Sequence, residues 1–166
     1  MGLHRQWFTT NMTCYKFFAG VFLIAIPAIC YCQEAPAFES ILTAKKIGKV
    51  YRIASVNDTT WLTYLGKLKG IRMKDKYYVI KEFFKVRAAS TWHGHSTIYF
   101  YGLNKKRKAL VHVSMPDNLP YELKNNVFYF RYIENGMPNI YTMKMHLPLP
   151  KMFCSRKNDC YDITFE

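Results

Sequence analysis

Seven short runs of aromatic and β-branched residues, each bounded by turn formers, restrict this chain to an antiparallel β fold. The runs fall at 47–56, 61–73, 77–87, 97–103, 109–115, 127–133 and 139–146. Between them lie Asn57-Asp58, Lys74-Asp75-Lys76, Gly102 with Asn104, Pro116-Asp117-Asn118 and Asn135-Gly136, each suited to reversing the chain. One stretch reads as helical: at 36–42, Pro36 stands near the start and Phe38, Ile41 and Leu42 fall one turn apart. A succession of strands with hairpin-length connections most simply makes an up-and-down barrel. A sandwich is the competing arrangement, and it asks for longer crossovers than these loops provide. The expected fold class is all-β, an antiparallel up-and-down β-barrel with a short N-terminal helix.

Side chains alternate across a strand, so each run divides into two faces. In the run at 77–87 the even positions are Tyr78, Ile80, Glu82, Phe84 and Val86, and they are expected to face inward. In the run at 127–133 the inward set is Phe128, Phe130 and Tyr132, and in the last run it is Tyr141, Met143 and Met145. The expected interior is therefore rich in Tyr, Phe and Met. A barrel of eight strands is just wide enough to be filled by side chains or to hold one small ligand.

The N-terminus carries Arg5 and Lys16, then the apolar run Phe17 to Ile26, then small residues up to Cys32, then Gln33-Glu34. That order is a secretory signal peptide, and the apolar run is shorter than the about 20 residues of a membrane span. An uncleaved anchor is the alternative reading, and translation from Met12 is a second possible start. Cleavage after Cys32 assigns 1–32 to the signal and 33–166 to one secreted domain with no transmembrane segment; cleavage after Cys30 retains Cys32. The first cut leaves Cys154 and Cys160, which in an exported protein form a disulfide around a short loop. It also leaves 22 basic residues against 11 acids, a net charge of +11. Such a balance favours anionic partners: a glycan, a phospholipid surface or an acidic host protein. No nucleic-acid partner is expected. Lys105-Lys106-Arg107-Lys108 is the one tight basic cluster, read as a solvated hairpin loop in preference to a binding patch.

Glu82 stands out chemically, because a carboxylate on an apolar face must be paired, hydrogen-bonded or met by a ligand cation. Its alternatives are a salt bridge within the sheet or a register that turns it outward. His93-Gly94-His95 reads as an exposed loop without a third metal ligand, and His112 as a solvent-facing strand residue. Asn57-Asp58-Thr59 is a glycosylation acceptor in an exposed turn. No catalytic motif is present, so neither an enzyme nor a cofactor or metal is expected.

Phe38-Glu39-Ser40-Ile41-Leu42, Lys49-Val50-Tyr51-Arg52, Asn57-Asp58 and Leu65-Gly66-Lys67-Leu68-Lys69-Gly70-Ile71-Arg72 together resemble the opening of the tick salivary lipocalins. That family includes histamine-binding proteins. The resemblance covers about 40 residues; this chain carries Gly70 where the family tends to place a cysteine. It implies a secreted lipocalin-like barrel that sequesters a small host mediator. The ligand would be a biogenic amine such as histamine or serotonin, with Glu82 as cation partner, or an eicosanoid anchored by Arg52 or Arg131. Tyr78, Phe84, Phe128, Phe130, Tyr132 and Tyr141 would line the pocket. The alternative is a basic interaction protein that meets a host protein, glycan or membrane through its exterior.

Overall fold

A computed structural model describes residues 35–166, which belong to one unit spanning Gln33–Glu166. The expected signal segment 1–32, with Cys30 and Cys32, lies outside the described residues. Helix α1 (Ala35–Ala44) opens the chain and ends where Lys45 turns left-handed (φ 49°) and donates its N–H to the Ile41 carbonyl. Strands β1 (Val50–Ala54), β2 (Asp58–Leu68), β3 (Tyr77–Ala88), β4 (Thr91–Gly102) and β5 (Arg107–Val113) follow as an antiparallel meander. Three more strands, β6 (Glu122–Lys124), β7 (Val127–Glu134) and β8 (Met137–Lys144), form a second antiparallel sheet. The chain closes with the hairpin β9 (Met152–Cys154) and β10 (Cys160–Asp162), then β11 (Thr164–Phe165).

The fold is thus mostly β, antiparallel, with one short helix, as expected. The two sheets do not join into a closed barrel. Strand β11 occupies the outer edge of β5, pairing Thr164 with Leu110 and Phe165 with Ala109. No pairing joins β5 to β6, and the two sheets meet through side chains in one core. Their shared core contains Val79, Ile98, Phe100 and Val111 from the first sheet, and Phe128 and Phe130 from the second. Phe153 of the final hairpin packs edge-on to both Phe128 and Phe130, at 5.3 and 5.8 Å. The opposite face of the first sheet is covered by α1. There Phe38, Ile41 and Leu42 bury against Leu62, Tyr64, Tyr78, Ile80, Tyr99 and Tyr101. Burying three such side chains contributes about 1.5–3 kcal/mol each, enough to hold a ten-residue helix that would not persist alone.

Several connections differ from the sequence reading. His93-Gly94-His95 lies inside β4, paired with Val86, Lys85 and Phe84, and is not a loop. Gly94 lies close against the Phe83 ring there: a Cβ would sit 3.0 Å from it, so the ring would have to shift. The β3–β4 turn is Ala89-Ser90, with Ala89 at φ 53°, a conformation that alanine rarely signals. The Asn135-Gly136 turn falls where expected, with both residues at positive φ. Cys154 and Cys160 form the expected disulfide, bridging directly opposed residues of β9 and β10. Asn57 is exposed in the β1–β2 turn.

Phe128 is fully buried at the centre of the shared core. Phe128→Ala will lower stability by about 3–5 kcal/mol through lost transfer energy and an unfilled cavity. The shift of the urea unfolding midpoint measures it.

Candidate functional site

The first sheet presents two unlike polar constellations, one on each face, and both are built around β3. Neighbouring residues Lys81 and Glu82 point in opposite directions.

Glu82 faces α1. It lies in a cross-strand row Tyr51–Leu62–Glu82–Thr97–His112. It is 7% exposed and accepts a hydrogen bond from the Tyr99 hydroxyl at 2.6 Å. Thr97 Oγ1 meets His112 Nδ1 at 3.1 Å. Phe38 packs edge-on to Tyr99 with centroids 5.1 Å apart, closing this layer from above. Burial, with the Tyr78 hydroxyl nearby, pushes the Tyr64 hydroxyl up to about 12. Beside the helix opens a groove of about 460 Å³ lined by Phe38, Glu39, Leu42, Tyr101, Asn104, Lys105, Arg107 and Glu166. Its cations are already engaged. Arg107 pairs with Glu166 at 2.6 Å, and Lys105 donates to Thr43 Oγ1 at 2.8 Å.

Lys81 faces the second sheet. Its row is Val50–Thr63–Lys81–Ile98–Val111, and the adjacent row is Arg52–Trp61–Phe83–Ser96–Val113. Lys81 is half-buried, and desolvation lowers the pKa of its ammonium group. Thr63 and Ser96 are buried polar residues on the same face. The Ser96 hydroxyl is enclosed with no hydrogen-bond partner, which is costly unless something completes it. Trp61 stacks on Phe83 at 5.4 Å, and Arg52 stands at the strand edge with its guanidinium 6.0 Å from the Trp61 ring. This arrangement combines an ammonium, a guanidinium and an unsatisfied hydroxyl at the rim of an apolar, aromatic layer. It is suited to the head of an anionic amphiphile.

The structure separates the residues that the sequence groups together. Phe128, Phe130 and Tyr141 face the space between the sheets, as expected, with Phe130 and Tyr141 rings 6.0 Å apart. Tyr132 is half-buried under Arg156, whose guanidinium lies 4.7 Å from its ring. Glu82 and Tyr78 lie across the first sheet from these residues, under α1. Phe84 shares their face and stacks on His95 at 6.3 Å. The expected single pocket is therefore divided by the sheet itself. Arg52 stands with Lys81, while Arg131 lies on the outer face of β7, its guanidinium 4.9 Å from the Tyr121 ring. Lys81 was missed because it alternates with Glu82 and reads as solvent-facing. Its signal was the apolar character of both faces of β3, where Tyr78, Val79 and Ile80 are consecutively buried.

Compared with family models, curated proteins and solved structures, the chain matches none.

The depressed Lys81 pKa means that its charged form is disfavoured in the folded state. Stability from this group is full above the ordinary lysine value of 10.5 and is lost as pH falls through the folded value. Lys81→Met will therefore raise stability at pH 7, by about 1 kcal/mol or less given the residue's partial exposure. Tyr64 acts at the other end. Its raised pKa supports the fold below pH 10.0 and that support is lost as pH rises through about 12. Urea titrations of both proteins between pH 7 and pH 12 will show the Lys81→Met advantage disappearing at the alkaline end.

Proposed function

We propose that this protein is a secreted, lipocalin-like carrier that sequesters a small amphipathic acid, such as an eicosanoid or fatty acid, between its two sheets. The meander β1 to β5, the second meander β6 to β8 and the N-terminal helix support a flattened relative of the up-and-down barrel. The observation that carries the ligand class is Lys81, a half-buried ammonium directed at an aromatic layer beside the unsatisfied Ser96 hydroxyl. A carboxylate placed there accepts from both groups, with Arg52 at the rim. The acyl chain lies against Trp61, Phe83, Phe130 and Tyr141. Binding needs no reaction, and affinity comes from apolar burial with a few polar anchors.

An amine ligand requires an acid in the same space. Glu82, the acid that the sequence singles out, lies on the opposite face, in the row of Leu62 and bonded to the Tyr99 hydroxyl. The geometry therefore favours the acid over the biogenic amine within the mediator-binding class.

Native mass spectrometry of the protein with arachidonate and histamine separates the two. A stoichiometric arachidonate complex is expected, about tenfold weaker in Lys81→Gln, because a hydrogen bond to a charged group is lost. Retention of arachidonate by Lys81→Gln at unchanged affinity would sink the assignment. A histamine complex abolished in Glu82→Gln would move the site to the helix-covered face.

A further inference from the structure

The β2–β3 connection, 69–76, presents apolar side chains to solvent in a setting of positive charge. Ile71 is fully exposed and Met73 is 65% exposed. They alternate with Lys69, Arg72, Lys74 and Lys76. An isoleucine this exposed adds nothing to the core, and with Met73, whose sulfur accepts from Lys76 Nζ at 3.2 Å, it forms a small apolar tip among cations.

The loop is tied at its base and across its tip. Asn126, in the β6–β7 turn, accepts from the Lys69 N–H and donates to the Lys69 carbonyl, both at 2.9 Å. Gly70 lies so close to Asp75 that a Cβ would fall 2.4 Å from the Asp75 carbonyl oxygen. Arg72 Nε bonds the buried Asp75 carboxylate at 2.8 Å, consuming both charges. The 3-10 turn Met73–Asp75 then fixes the tip. The exposure of Ile71 and Met73 is thus built into the backbone and does not follow from a frayed segment.

Positive charge extends from the loop to its neighbour. A groove of about 340 Å³ separates the loop from the β4–β5 turn, lined by Met73, Lys74, Lys76, Leu103, Asn104 and Lys108 among others. Three ammonium groups thus border one small groove, and Lys105 and Lys106 continue the charge along the turn. No acid lines the groove.

We propose that this end of the first sheet docks on anionic phospholipid membranes. Ile71 and Met73 enter the headgroup–acyl boundary, the lysines around them meet the lipid charge, and the groove accepts an anionic headgroup. The pairing of apolar tips with flanking cations selects a bilayer over a sulfated glycan, which offers charge but no apolar phase. This surface is separate from the space between the sheets. Its test does not depend on any small ligand.

The full chain is sedimented with vesicles of phosphatidylcholine, with or without phosphatidylserine. Retention on the serine-containing vesicles is expected, falling as salt rises. The double variant Ile71→Ser with Met73→Ser leaves the charge unchanged and is expected to bind about tenfold more weakly. Unchanged vesicle binding by that variant overturns the proposal. So does retention on immobilised heparin without retention on vesicles, which would assign the surface to a glycan. Both side chains are exposed, so thermal unfolding should match the parent. If it does not, Lys74→Glu with Lys76→Glu provides the same reading, and undiminished vesicle binding again overturns docking.

Discussion

The structure depends on burying β3 on both faces. Val79 packs into the core shared by the two sheets, while Tyr78 and Ile80 pack under α1. A strand covered on both sides must carry apolar residues consecutively, and Tyr78-Val79-Ile80 does so. Each covering layer has too little apolar surface to stand alone. The helix is ten residues long, and the second sheet has three strands, one of them only three residues. The central sheet therefore supplies the apolar surface that both the helix and the second sheet require.

Two-sided burial also sets the electrostatics. A polar residue in the middle of β3 has no exposed face to occupy, so Lys81 and Glu82 must each find a solution in opposite directions. Glu82 does so by accepting from the Tyr99 hydroxyl. Lys81 stops half-way to solvent, with its charge partly desolvated. Placed on one face, the two would neutralise one another across a short distance. The sheet separates them, so each gives a different chemical character to its side. Each side holds one enclosed hydroxyl without a hydrogen-bond partner, Ser96 on the face of Lys81 and Tyr51 in the row of Glu82.

This logic explains which parts were legible in the sequence. Strands bounded by strong local signals emerge with their limits nearly right, as with Asn135-Gly136 between β7 and β8. The faces of β7 are legible because only one side of it is buried. Alternation fails for β3 because both faces are apolar, so nothing local says which one meets the second sheet. At Leu65-Gly66 a bulge resets the alternation of β2, a shift that no period-two pattern detects. The β3–β4 turn escapes notice because Ala89 takes a left-handed conformation that alanine rarely adopts, and Gly94 misleads because it lies within β4 against the Phe83 ring and not at a bend. The pairing of Thr164 and Phe165 with Leu110 and Ala109 joins residues far apart in sequence, beyond the reach of any local pattern.

The junction around Asn126 shows how a small polar group can govern a large surface. Asn126 sits at φ 61°, a conformation asparagine tolerates better than most residues. From there its side chain takes both backbone groups of Lys69, and its own carbonyl accepts from the Met145 N–H at 2.7 Å. One residue thus ties the end of β2, the turn of the second sheet and the chain leaving β8. The lysine it holds is the first residue of the apolar-tipped loop, and Gly70 follows at a position with no space for a side chain. The same contacts that align the two sheets therefore fix where Ile71 and Met73 emerge. A loop carrying two unshielded apolar residues would collapse back onto the protein if its base were free. Anchoring the base in the sheet-to-sheet junction prevents that collapse, so the exposure of the tip is a consequence of how the sheets are joined.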